Sequence, residues 1–150
     1  MPDIATIAYG CELENFSLIK GNDIIEKIAP KLKNHIFHIF GNRITMTSEN
    51  ENVKYVGFLD HEKLIQELGK FDFYFQPSRS ESFGMAVLEA MSLGITPIVS
   101  NRGALPEIVH DCGIIFDFGV EEAFEALKNP TKIEKQKLIQ RVDFFSCEKR

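Results

Sequence analysis

The run Phe71-Asp72-Phe73-Tyr74-Phe75-Gln76-Pro77-Ser78 constrains the fold of this chain more than any other. Its aromatic, almost unbroken apolar character suits a strand covered on both faces, and Pro77 cannot donate to a sheet ladder, so the chain must turn there. Beyond the turn, Met85, Val87, Leu88, Met91 and Leu93 predict a largely buried helix. It starts near Phe83 or Gly84 and stops near Gly94, before Pro97 could interrupt it. The stretch Gly94-Ile95-Thr96-Pro97-Ile98-Val99-Ser100 reads as a second short strand, and Gly103-Ala104-Leu105-Pro106-Glu107 as a glycine turn opening another helix.

The same alternation runs upstream. Ile4-Ala5-Thr6-Ile7-Ala8 reads as a first strand ending in Tyr9-Gly10-Cys11, and Lys20-Gly21 leads into a helix carrying Ile24, Ile25, Ile28 and Ala29. His35 to Phe40 and Val53 to Leu59 supply two more strand segments, the second closing in a turn, and Asp60 is placed to cap a helix running to Leu68. Strand and helix units in this order predict an α/β fold: a Rossmann-like, three-layer α/β/α arrangement with a mainly parallel sheet of about six strands. Ligands of such sheets lie beyond the carboxyl ends of the strands, where Lys20, Gly41, residues 77–84 and residues 100–103 would gather.

That rim carries the chemistry. Glu81 lies just ahead of the predicted helix and Glu89 more than a turn inside it, so the two carboxylates address different parts of one extended ligand rather than share a proton. The first backbone N–H groups of the helix have no internal partner and carry the positive end of its dipole, which favours a phosphate or another oxygen-rich group. Gly84 lets such a ligand approach the backbone closely.

The segment from Pro77 to Val109 closely resembles the signature of the group 1 (family 4) glycosyltransferases, retaining enzymes of the GT-B class. That signature reads P-S-x-x-E-x-F-G-x-x-x-x-E-A-M-x-x-G-x-P-V-V, followed by a G-G-x-P-E-x-V turn. The chain departs from it at Ala104, where a second glycine is usual, and mildly at Ile98. The resemblance implies that Glu81 is the catalytic-site carboxylate near the transferred sugar and that Glu89 grips the donor ribose. It implies that Ser82, Phe83, Gly84, Met85 and Ala86 contact sugar hydroxyls and the diphosphate, and that Lys20 neutralises the diphosphate. An ionised carboxylate can accept two hydroxyl hydrogen bonds, each charge-assisted bond contributing about 1.5–3 kcal/mol. Where the family carries a phosphate-binding arginine, just beyond Gly10, this chain has Cys11, and a thiol cannot replace a guanidinium that holds two oxygens at once. Arg43 or Lys54 are the alternative sources of charge. The Val56-Gly57-Phe58 turn resembles the element beside the nucleotide base.

Composition limits the remaining readings. A chain of 150 residues can bury roughly 70% of its unfolded surface, enough for one independent core. The net charge of −5 gives no support for generic nucleic-acid binding. No run is long and apolar enough for a membrane span, the start lacks a secretion-signal pattern, and the three cysteines, Cys11, Cys112 and Cys147, lack metal or disulfide spacing; a cytoplasmic setting is the expectation. The tail from Lys132 to Arg150 has six basic residues against three acidic, a net +3, with Ile133, Leu138, Val142 and Phe145 at helical spacing. It predicts a C-terminal helical tail that packs on the domain or on a missing one, or else makes peripheral contact with an acidic membrane. His35 and His38 point to opposite faces of a strand, so joint metal ligation is not expected.

Residues 1–150 therefore read as a single Rossmann-like donor-binding domain with residues 132–150 as its tail, one half of a GT-B architecture. The resemblance implies a nucleotide-diphosphate-sugar donor, no cofactor, no metal, and an N-terminal acceptor-binding domain in the same longer chain or on a partner. The alternative function is a catalytically silent nucleotide-sugar-binding or partner-interaction module.

Overall fold

The computed structural model describes residues 3–7, 20–41, 47–81 and 83–148. Six strands form one sheet: β1 (Asp3–Ile7), β2 (Ile36–Phe40), β3 (Val53–Gly57), β4 (Phe73–Gln76), β5 (Thr96–Ser100) and β6 (Ile114–Phe116). Their spatial order is β3-β2-β1-β4-β5-β6 and every neighbouring pair is parallel. All residues of the interior strands β4 and β5 are buried, whereas the edge strand β3 alternates, as its mixed Val-Lys-Tyr-Val sequence dictates.

The helices are α1 (Asn22–Ile28), prolonged by a 3-10 turn (Ala29–Lys31), α2 (His61–Leu68), α3 (Met85–Ser92), α4 (Leu105–Val109), α5 (Val120–Lys128) and α6 (Lys135–Glu148). Ile24, Ile25 and Ile28 of α1 and Ala123 and Leu127 of α5 cover one face, over Ile4, Phe37, Phe75 and Ile98. Leu64 and Leu68 of α2, Val87 and Met91 of α3, Ile108 of α4 and Leu138 of α6 cover the other, over Ala5, Tyr74 and Val99. The fold is the expected three-layer α/β/α arrangement.

Local signals act where the sequence places them. The Asp60 carboxylate caps α2, accepting the Lys63 N–H at 2.9 Å. Strand β4 begins two residues later than its aromatic run, because Asp72 marks the turn into it at the amino edge. Its carboxylate accepts the Asp3 N–H at 3.0 Å and Lys132 Nζ at 2.8 Å. Phe71 falls outside the strand and lies edge-on to His38 and Phe40. Helix α3 is less buried than its composition suggests. Val87, Ala90 and Met91 face the sheet, but Phe83 and Met85 are 70% and 55% exposed, since the helix starts past the carboxyl edge of the sheet.

The tail is helical as α6, and Ile133, Leu138, Val142 and Phe145 pack into the α2–α4 layer. Arg141 fastens it by donating from Nε to the Ile108 carbonyl at 3.0 Å and from Nη2 to that of Glu107. For this segment the structure therefore shows the packed alternative. Among the described residues no helix is long and apolar enough to cross a membrane.

Candidate functional site

The strand order reverses between β1 and β4: the chain builds outward through β2 and β3 on one side, then returns to lay β4, β5 and β6 on the other. This reversal point, at the carboxyl ends of β1 and β4, is the usual ligand position in an open parallel sheet. Lys20 and Glu81 lie in the two segments that flank it.

Three glycines allow close packing here, two of them against a neighbouring backbone. Gly21 opens α1 at φ +83°, and a methyl added to it would lie 2.0 Å from the Pro77 carbonyl oxygen. Gly103, at φ +57°, stands equally near Glu81, where the same methyl would lie 2.0 Å from that residue's carbonyl oxygen. The Ala104 N–H donates to this same oxygen at 2.9 Å. Gly84, at φ +66°, starts α3 against the Ile108 side chain. The start of α1 and the loops after β4 and β5 are thereby pressed together near Glu81.

Glu81 is firmly held. Lys20 Nζ donates to its Oε2 at 2.9 Å and Gln76 Nε2 donates to the same oxygen at 2.7 Å, while the Gly84 N–H reaches Oε1 at 3.2 Å. The side chains of Lys20 and Glu81 are only 24% and 14% exposed. Burial alone pushes the carboxyl upward, but the Lys20 contact and the N–H groups of Gly84 and Phe83 outweigh it, and the group titrates below the ordinary carboxylate range. At neutral pH Glu81 is a carboxylate whose only role is to accept.

Glu89 has a different setting. It lies one turn into α3 with its side chain 31% exposed, and the His61 imidazole at the start of α2 stands beside it, Nδ1 to Oε1 3.9 Å. Because α2 follows β3 at the carboxyl edge, Glu89 opens on the same rim as Lys20. The two carboxylates thus have separate partners. Phe83, Gly84, Met85 and Ala86 lie at and around the start of α3, with Phe83 and Met85 exposed and the Ala86 side chain half-buried. Ser82, Cys11 and Arg43 lie outside the described residues. Lys54 sits in the middle of β3, paired in register with His38, and not at the rim.

Several residues at the rim had no sequence signal of their own. Arg79 forks onto Asp23 with bonds of 2.7 and 2.8 Å and lies 5.0 Å from the Phe118 ring centroid, which Arg102 also approaches, at 4.9 Å. This cluster ties α1 to the loops after β4, β5 and β6, and the guanidinium holds the Asp23 carboxyl below its usual range. Ser100 Oγ donates to the Ser78 carbonyl at 2.6 Å, bracing the loop after β4 from β5. Gln76 could have been flagged as the one amide in an otherwise aromatic strand. His35 and His38 do face opposite ways: His35 Nε2 lies 2.6 Å from the Leu127 carbonyl in one layer and His38 packs on Phe71 in the other.

Comparison with known proteins supplies independent evidence. The family model described as glycosyl transferases group 1 matches residues 15–141. An uncharacterized 41.2 kDa protein in the cps region of Klebsiella pneumoniae is 31% identical over 110 residues, covering 69% of this chain and 31% of that protein. The O-antigen biosynthesis glycosyltransferase WclY of Escherichia coli is 28% identical over 143 residues, covering 89% of this chain and 36% of the relative. The chain thus spans about a third of the length of these curated relatives. Among solved structures, sucrose-phosphate synthase from Thermosynechococcus elongatus superimposes with a TM-score of 0.73 at 18% identity, over 95% of this chain and 41% of that one. That likeness is one of fold, the Rossmann-like half of a GT-B architecture.

Proposed function

The chain belongs to the group 1 glycosyltransferases, and on that premise we propose that residues 1–150 are the donor-binding C-terminal domain of a retaining glycosyltransferase. Its ligand is a nucleotide-diphosphate sugar. The observation that carries this reading is the gathering of Lys20, Glu81 and the start of α3 at the strand-order reversal, with Glu89 on the same rim.

Each group has a part. Glu89, accessible and lightly engaged, accepts hydroxyl hydrogen bonds from the donor ribose. Lys20 and the first free N–H groups of α3 face the diphosphate, where they stabilise the negative charge that grows as the glycosidic bond breaks, without needing a metal. Glu81 receives hydroxyls of the transferred sugar. Transfer proceeds with retention of configuration, and the departing phosphate helps to remove the proton of the acceptor hydroxyl. The acceptor is held by a further domain, in the same polypeptide or on a partner, and the protein works in the cytoplasm or at the face of a membrane.

Isothermal calorimetry of the chain with a panel of nucleoside diphosphates and their sugars tests the reading. Saturable binding is expected with one nucleotide, weakened about 10- to 150-fold in Glu89→Gln, the equivalent of losing about 1.5–3 kcal/mol of charge-assisted bonding. Equal affinity of wild type and variant would remove the ribose grip, and absence of binding across the panel would remove the donor site. Turnover that appears only when an acceptor domain is supplied separates an enzyme from a silent nucleotide-sugar-binding module.

A further inference from the structure

At Gln76 strand β4 stops being apolar, although the side chain stays buried. Tyr74 and Gln76 are 0% and 1% exposed, and being two residues apart they share the face of β4 that packs under α3. The Tyr74 hydroxyl lies 2.8 Å from Gln76 Oε1, and Gln76 Nε2 lies 2.7 Å from Glu81 Oε2. Chemistry fixes the direction of this chain of bonds. An ionised carboxylate only accepts, so the amide must turn its NH2 toward Glu81. The amide oxygen then faces Tyr74, whose hydroxyl must donate.

A buried amide and hydroxyl in a sheet interior cost free energy unless paired, and an apolar side chain of the same length would fill the space without that cost. Here both are paired, and the pairing ends on Glu81. Lys20 alone could hold the carboxylate, but it is a flexible, partly exposed cation that also has to meet the donor phosphates. When Lys20 Nζ turns to a phosphate, Gln76 remains.

We infer that Gln76, oriented by Tyr74, is a positioning residue for Glu81: it keeps the carboxylate in the rotamer that turns Oε1 toward the start of α3, whether or not Lys20 is engaged elsewhere. Its consequence for transfer rests on the reading of Glu81 as the sugar-facing carboxylate; its geometry does not.

The test is a carboxyl ¹³C titration of the full chain labelled at glutamate, with the Glu81 signal assigned by its loss in Glu81→Gln. Gln76→Met keeps length and removes both polar atoms; the Glu81 titration midpoint is expected to move upward while the other glutamate signals stay in place. Tyr74→Phe, which removes a single oxygen, is expected to move it in the same direction by less, and it decides the matter by the same criterion if Gln76→Met does not fold. A Glu81 midpoint that stays at its wild-type value overturns the inference. Failure of every nucleotide sugar to bind in the calorimeter would instead overturn the sugar reading and leave the titration result standing.

Discussion

The two carboxylates at either side of the α3 start teach different lessons. Glu81 has a lysine, a buried amide and the helix start assembled around it, with glycines on neighbouring loops leaving no room for a side chain. Glu89, eight positions on, has an exposed imidazole at 3.9 Å and a side chain that is partly open to solvent. One end of the site is built before any ligand arrives. At the other, the carboxylate would give up little in exchanging a loose neighbour for the proposed ribose. This division suits a donor whose reacting sugar must be placed exactly where bonds break, while the nucleotide supplies affinity from further away.

The strongest way to break this contrast is through glycine. Gly103 lies against the Glu81 backbone, and Gly94 ends the helix that carries Glu89. Both have positive φ, but a methyl on Gly103 would lie 2.0 Å from a main-chain oxygen, whereas on Gly94 it would lie 2.8 Å from the Lys135 side chain, which can swing aside. Gly103→Ala is expected to cost more than about 2 kcal/mol, and Gly94→Ala about 1 kcal/mol, the left-handed backbone penalty alone. Urea denaturation with unchanged slope measures both; equal costs would mean that the Glu81 loop is not fixed by its neighbours.

A smaller effect sharpens the comparison. Glu81→Gln removes the charge from a mostly buried pair, leaves Lys20 without its partner, and sets two amide groups against each other at Gln76; a loss of about 1–2 kcal/mol in stability is expected. Glu89→Gln keeps the shape of a side chain whose ion-pair neighbour among the described residues is an exposed imidazole at 3.9 Å, and its stability should remain within about 0.5 kcal/mol of wild type. On the proposed reading the functional signature is inverted: Glu89, whose loss the fold should scarcely notice, is the glutamate whose loss is expected to weaken nucleotide binding. If both variants melted alike, the prebuilt end would be an illusion of proximity.

Much of this was legible in the sequence. Strands β1 to β5, the Asp60 cap and the position of α3 were readable because each rests on local signals: short apolar runs, a capping carboxylate, a proline that ends a ladder; β6, three residues long at Ile114–Phe116, was expected as a sixth strand but not located. Local reasoning slipped at Phe71, where the aromatic run outlasts the strand because the Asp72 contacts with Asp3 and Lys132 fix the turn at the sheet edge. It also overstated the burial of α3, since composition does not say where a helix overhangs its sheet. The candidate site was legible as a set of residues and not as an arrangement. Lys20 and Glu81 stand 61 positions apart and Asp23 and Arg79 stand 56 apart, so their pairing follows from laying β1 beside β4, which no local pattern encodes. Gln76 differs: as the one amide in an otherwise aromatic strand it was visible in the sequence, but its role is not readable until the carboxylate it faces is known.

Acid gives the finest probe of the contrast. The Glu81 pKa is lowered in the folded chain, so the unfolded state binds the proton more readily. The stability that its ionised form contributes is fully present above the unfolded carboxylate value, about 4.3, and is lost as the pH falls through the lower folded value. Asp23 and Asp72, also lowered by Arg79 and Lys132 respectively, add acid sensitivity of the same sign, so the wild-type curve alone does not isolate Glu81. The difference between wild type and Glu81→Gln does, because the aspartate contributions cancel. That difference is expected to be constant from pH 7 down to about 5 and then to shrink as Glu81 takes up its proton and the wild-type residue comes to resemble the neutral amide that replaced it. In a Gln76→Met background the same difference should shrink by less and level off at a higher pH, since a carboxylate deprived of one donor is protonated more easily in the folded chain while the unfolded value that sets the onset is unchanged. Paired urea titrations at successive pH values measure it, and a difference that stayed flat into strong acid would show that the Lys20–Glu81 contact is not held together by charge.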